Sequence, residues 1–291
     1  ACNISQLHVL IVSLRPMGLF TKREEKTEGQ MSFLKHIESL RWHLVRSIIV
    51  ILILGGVAFC FPEILFGKII MGPTKAGFST YTFLCDLSNS WGMGNTLCFT
   101  EFNFTFQNTG VTGQFTLHMW AAFVAGIIVG FPYLLWELWR FVKPALQEKE
   151  IKAARGFIAY ASFLFLLGVA FAYWIVAPMA IYFLGNYKVD PTIDNDFAID
   201  SYISVVTTLV LLLGIVFELP IIMYFLARFG IVTATFLRKY RKHSLVAILI
   251  IAAVITPTTD VFTQALVAVP LWILFEASII VVARTEKRDS V

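Results

Sequence analysis

Four carboxylates stand out by where they fall in the chain. Glu137, Glu218 and Glu276 lie within long apolar stretches, where an ionisable group is costly and rare without a reason. Glu150 closes the segment Phe141-Val142-Lys143-Pro144-Ala145-Leu146-Gln147-Glu148-Lys149-Glu150 and stands among Lys149, Lys152 and Arg155. In that segment Pro144 stops a helix and Leu146 can pack back, so spacing alone makes Glu150 one carboxylate of a solvated charge run. Glu218, in Phe217-Glu218-Leu219-Pro220, reads in two ways. It is either a polar site facing a groove, in contact with a proton or a substrate, or a carboxyl hydrogen-bonded to a neighbouring helix.

Signatures of soluble catalysis are missing. The sequence has no GxxxxGK[ST] phosphate cradle, no HExxH, no GxSxG elbow and no GxGxxG opening a helix. No metal site is expected, because the cysteines lack CxxC spacing and His partners. His36, Glu38 and His43 lie close in sequence at the start of an apolar stretch, the usual place for interfacial anchors. Asp190, Asp194, Asp196 and Asp200 cluster but do not follow EF-hand spacing. No cofactor is implied, so any transport must draw on an ion gradient or a partner.

The elements that position these groups follow from hydropathy and charge. A chain that is 58% hydrophobic and 14% charged, with mean hydropathy +0.76, cannot hide its apolar side chains in a soluble core of 291 residues. Apolar stretches centred on Leu44 to Phe61, Met119 to Leu138, Phe157 to Leu184, Tyr202 to Ala227, Leu245 to Ile255 and Phe262 to Ala283 predict six transmembrane helices. Most approach the roughly 20 residues needed to cross a hydrocarbon core. Pro257 to Asp260 divide the last stretch into two short helices. With six crossings, 20 of the 23 Lys and Arg residues share one face, which the positive-inside bias makes cytoplasmic together with both termini. The net charge of +4 therefore reads as topology and not as affinity for nucleic acid.

Pro132, Pro178, Pro220 and Pro270 should kink their helices and bend the bundle into a concave wall. The expected fold is an all-α integral membrane protein occupying residues 31–291, with residues 1–30 an N-terminal extension, disordered or non-native. Residues 62–118 form an ordered extracytoplasmic cap loop. Cys85 and Cys98 both fall in that loop, where oxidation is permitted, so a disulfide between them is a candidate.

At these residues the chain resembles the TatC family, the polytopic receptor component of the twin-arginine protein translocase. The family pattern FxxPxLxxxE is matched by Phe141, Pro144, Leu146 and Glu150. Gly168-Val169-Ala170-Phe171-Ala172-Tyr173 with Pro178 fits the third span, and Phe217-Glu218-Leu219-Pro220 the fourth. Gly230-Ile231 with Leu237-Arg238-Lys239 and Arg241 fits the last cytoplasmic loop. Thr256-Pro257, Asp260-Val261-Phe262, Gln264, Pro270 and Leu274-Phe275-Glu276 fit the final pair. The N-terminal HLxELR pattern appears as His36-Ile37-Glu38-Ser39-Leu40-Arg41, with Ser39 in the usual glutamate slot and Glu38 displaced about 100° around a helix.

The resemblance implies a folded-protein substrate whose N-terminal signal carries paired arginines, bound at the cytoplasmic face. Glu150 becomes the best contact, because a carboxylate accepts the planar guanidinium fork in two parallel hydrogen bonds. Glu38 assists, and Arg41 holds the N-terminal segment or orients a carboxylate. The apolar part of the signal rests on the concave wall beside Glu218 and Glu137, which also offer polar contacts to small single-span partners resembling TatA and TatB. Asp260 and Gln264 organise the turn between the last two helices. The resemblance further implies self-association into a multisubunit complex, energy from the proton-motive force, no enzymatic chemistry and a bacterial inner membrane, or less simply an organelle membrane of bacterial descent. The competing reading is a proton-coupled small-solute transporter with Glu218 as the carrier site, for which no matched pair of interrupted helices is found. A membrane-embedded hydrolase lacks any motif.

Overall fold

The computed structural model describes residues 33–75, 77–92, 94, 98, 104–108, 110–145, 156–188, 190, 195–256 and 261–289. Backbone in hydrocarbon must satisfy its own polar groups, and a helix does so within a single segment, so the apolar runs become helices. Helix α1 is Phe33–Phe59, α2 is Ser79–Ser90 and α3 is Gly113–Val142. Next come α4 (Phe157–Phe171), α5 (Ala177–Asn186), α6 (Ile199–Val216) and α7 (Leu219–Arg228). The chain closes with α8 (Ala234–Lys239), α9 (Arg241–Ile255) and α10 (Val261–Asp289). Among the described residues, five helical stretches are long and apolar enough to cross a membrane: Glu38–Phe59, Gly113–Val142, Phe157–Asn186, Ile199–Arg228 and Val261–Lys287.

The last two helices, expected to be short as a pair, are unequal. Helix α9 has 15 residues, a rise of about 22 Å. Helix α10 has 29, because its apolar face continues past Glu276 through the buried Ile279 and Val282 while it packs on α7, α8 and α9.

Pro178 and Pro220 act where the sequence places them, each by a different local device. Pro178 follows a π-helical turn, Ala172–Val176, that joins α4 to α5. Proline has no N–H to offer the carbonyl four residues back, and that carbonyl, on Trp174, instead accepts a hydrogen bond from the Thr80 hydroxyl of α2. The carbonyl of Pro178 itself lies 3.0 Å from the Tyr81 hydroxyl, which is also 2.9 Å from the Pro73 carbonyl. One buried tyrosine thus pins the cap to the kink. Burial pushes its phenol pKa well above the usual range. Pro220 sits in the first turn of α7, after the break at Phe217 and Glu218, whereas Pro132 and Pro270 lie inside continuous helices.

Residues 62–118 contain more structure than a loop: a π-helical turn Glu63–Ile70, α2, and a strand β1 (Phe104–Gln107). The strand pairs in parallel with β2 (Asn195–Ala198), Phe104 opposite Asn195 through Gln107 opposite Ala198. This two-stranded ribbon departs from the all-α expectation. Asp196 holds it by accepting hydrogen bonds from Thr105 and, at 2.8 Å, from Gln107. A disulfide joins Cys85 in α2 to Cys98. The core lies between α4, α5, α6 and α10, where Phe165, Val176, Ile203, Leu213, Leu271 and Val282 are buried. At Gly168 an added Cβ would lie 2.8 Å from the Leu213 carbonyl oxygen, so α4 approaches α6 to backbone contact. Outward, Trp42, Ile48, Leu52, Phe163 and Val254 are exposed, as lipid-facing side chains should be.

Candidate functional site

The C-terminal end of α3 presents different chemistry on two faces. Tyr133, Glu137 and Arg140 are spaced to share one face of a helix. Glu137 is only 1% exposed, and its carboxylate is filled by the chain's own donors. His43 of α1 lies 2.5 Å away through Nδ1. Tyr133 donates its hydroxyl at 3.0 Å, and an Arg140 nitrogen lies at 3.4 Å. Arg140 also rests over the Trp136 ring at 5.0 Å. Phe141 meets the edge of the His43 ring, with centroids 6.2 Å apart. The end of α3 and the beginning of α1 are therefore clamped side by side.

On the other face, Leu135, Leu138, Trp139 and Val142 line a cavity of about 400 Å³ with Phe131, Phe157, Ile222 and Phe225. Among the described residues of its wall, Glu218 is the one ionisable group. Leaving α6 at Phe217 and entering α7 at Leu219, the chain puts Glu218 at the helix break. There its side chain is 7% exposed, and Oε1 is buried with no hydrogen-bond partner among the described residues. An unpaired buried oxygen is costly and offers a strong acceptor to a donor brought in from outside.

Of the other sequence-derived candidates, Glu38 and Arg41 are exposed on the first turns of α1, near the clamp. Helix geometry turns Glu38 about 140° from His43, whereas Ser39 lies within about 40° of it. Ser39 thus shares the α3-facing side of α1. Pro144 sits in a 3-10 turn, Lys143–Ala145, that ends α3. Leu146, Glu150 and Asp260 lie outside the described residues. Glu276 is paired with Arg241 at 2.6 Å, tying the start of α9 to the middle of α10. Gln264 donates to the Leu249 carbonyl at 3.2 Å, joining the same two helices nearer the other end.

Sequence reasoning missed the His43 to Glu137 pairing. Its only signal was a periodic one: His43, Ser47, Ile51 and Gly55 recur every fourth residue and share one face of α1. No metal-ligand cluster occurs among the described residues.

A family model described as Sec-independent protein translocase protein (TatC) matches residues 35–270. The chain belongs to the TatC family. A TatC protein of Blattabacterium sp. subsp. Periplaneta americana is 38% identical over 258 residues, covering 88% of this chain and 96% of that protein. A TatC protein of Aquifex aeolicus is 34% identical, covering 86% and 93%. Among solved structures, the crystal structure of a twin-arginine translocase receptor TatC superposes with a TM-score of 0.63 at 32% identity, covering 85% of this chain and 97% of that one. A second crystal structure of such a receptor gives 0.64 at 33%. As a TatC-family chain this is a multi-pass membrane component of a protein translocase.

Proposed function

We propose that this chain is the receptor and core subunit of a twin-arginine export system in a bacterial cytoplasmic membrane. It crosses six times with both termini in the cytoplasm, α9 serving as the fifth crossing. The three Lys and Arg residues left on the opposite face support that orientation. It binds the paired arginines of a signal peptide, assembles with its own copies and with single-span partners of the TatA and TatB type, and moves folded proteins using the proton-motive force.

The observation that carries the reading is the clamp between His43, Glu137 and Phe141. It brings the helix whose first turns carry Glu38 and Arg41 alongside the helix that ends in the turn at Pro144, six positions before Glu150 in the sequence. On this reading Glu38 and Glu150, carboxylates from two distant parts of the sequence, serve one ligand. Two guanidinium groups accepted by carboxylates form the charge-assisted, bidentate bonds that distinguish arginine from lysine. The Glu218 cavity supports the second half of the reading: an apolar helix with one polar donor would fill it and satisfy Oε1. A proton-coupled solute carrier would use the same carboxyl, and differs in that deleting it would abolish uptake of a solute while leaving export intact.

The test is Glu150→Gln and Glu150→Ala in full-length protein, read by crosslinking to a twin-arginine signal peptide. Both variants should insert normally and lose the crosslink, with affinity falling at least about tenfold, the loss of one charge-assisted contact. Normal crosslinking in both would remove Glu150 from the binding site.

A further inference from the structure

Helix α1 finds its main packing partner in α3, along one antiparallel seam. Phe59 stacks on His118 at one end, with ring centroids 4.0 Å apart. In the middle, a Cβ added at Gly126 would lie 2.6 Å from the Ile51 carbonyl oxygen and 2.7 Å from the Gly55 nitrogen, so the two backbones touch. Such small-residue contacts set how closely two helices approach. They hold register weakly, because a glycine offers no knob to a hole. At the opposite end the seam closes on the buried carboxylate of Glu137, where Tyr133 and Arg140 approach Oε1 and leave Oε2 to His43. That contact is directional and part-buried, and it joins the two helices at this end of α1.

We propose that Glu137 is a positioning residue: by holding His43 it fixes the register and rotation of α1 on α3, and so sets where Glu38 and Arg41 stand relative to Phe141 and Pro144. The inference rests on the receptor reading for its functional consequence, though not for its geometry. Glu137 does not touch the signal peptide. It acts through His43, and its 1% exposure leaves no room for a guanidinium.

The test uses full-length protein with Cys2→Ser and Cys60→Ser, spin labels at Leu40→Cys and Lys143→Cys, and a fluorescent twin-arginine peptide with a twin-lysine control. In the parent the label distance should be narrowly distributed. Glu137→Leu should broaden it and weaken the twin-arginine peptide about tenfold. Glu137→Gln keeps one acceptor oxygen for Tyr133 and turns an N–H toward His43, whose neutral Nδ1 can accept it, so it should keep a narrow distribution and an affinity within about threefold of the parent. His43→Leu removes the same contact from the other helix and should reproduce Glu137→Leu, a check that holds even if one variant fails to insert. A narrow distribution in both leucine variants would overturn the proposal. Equal loss of binding in Glu137→Gln and Glu137→Leu with the distance unchanged would also overturn it, by making Glu137 a direct contact. A parent that binds twin-lysine as well as twin-arginine would sink the receptor reading, while the distance measurement would still decide the clamp.

Discussion

Two carboxylates are buried on α3 and beside it, and they are treated in opposite ways. Glu137 faces α1 and is met by His43, Tyr133 and Arg140. Glu218 faces the other side of α3 across an apolar cavity and keeps a buried oxygen without a partner among the described residues. Burial alone does not separate them, since both are nearly inaccessible. What separates them is satisfaction: a carboxylate whose donors come from its own chain works as a structural joint, and one left open is a site waiting for a donor. Both read alike in the sequence, as acids in apolar stretches.

The largest expected effect follows from removing the satisfied one. Glu137→Leu strands His43 and Arg140, and leaving a partner of a buried pair uncompensated costs about 3–5 kcal/mol. Arg140 is half exposed and recovers water, so the loss should fall nearer about 2–3 kcal/mol. Thermal unfolding in detergent, with and without His43→Leu, measures it. In the double variant the second substitution should add little, because the contact is already gone.

Glu218→Met should move stability the other way. Deleting a buried acceptor that lacks a donor relieves about 1–3 kcal/mol of desolvation, so this variant should unfold at a temperature equal to or above that of the parent. Under the proposed function it should nevertheless lose export in a reporter assay, since the donor from a partner helix finds nothing to bond. A clear fall in stability would mean that Oε1 is satisfied in the membrane by water or lipid, and the contrast with Glu137 would disappear.

Much of this was legible in the sequence, for reasons that are local. Apolar length gave the helices. Pro178 and Pro220 marked the breaks because a missing N–H acts within one turn. The Phe141 to Pro144 stop worked for the same reason. Features that depend on which helix faces which could not be read: His43 and Glu137 are 94 positions apart, and their meeting depends on the antiparallel seam through Gly55 and Gly126. The ribbon between Phe104–Gln107 and Asn195–Ala198 was hidden too, since four residues carry too short an alternation to signal a strand. The length of α10 was misjudged because the apolar run ends near Ala283, whereas the helix continues to Asp289 and meets the start of α8 through Glu286.

That third carboxylate supplies the smallest effect and a calibration of the other two. Glu276 lies in an apolar stretch like its counterparts, but its pair with Arg241 is partly solvated, the side chains being 27% and 50% exposed. Water competes for both charges, so Arg241→Gln should cost only about 0.2–1 kcal/mol and less in high salt. If it cost as much as Glu137→Leu, then exposure would be a poor guide to the worth of a carboxylate here, and the distinction between the clamp on α1 and the open acceptor at Glu218 would have to rest on geometry alone.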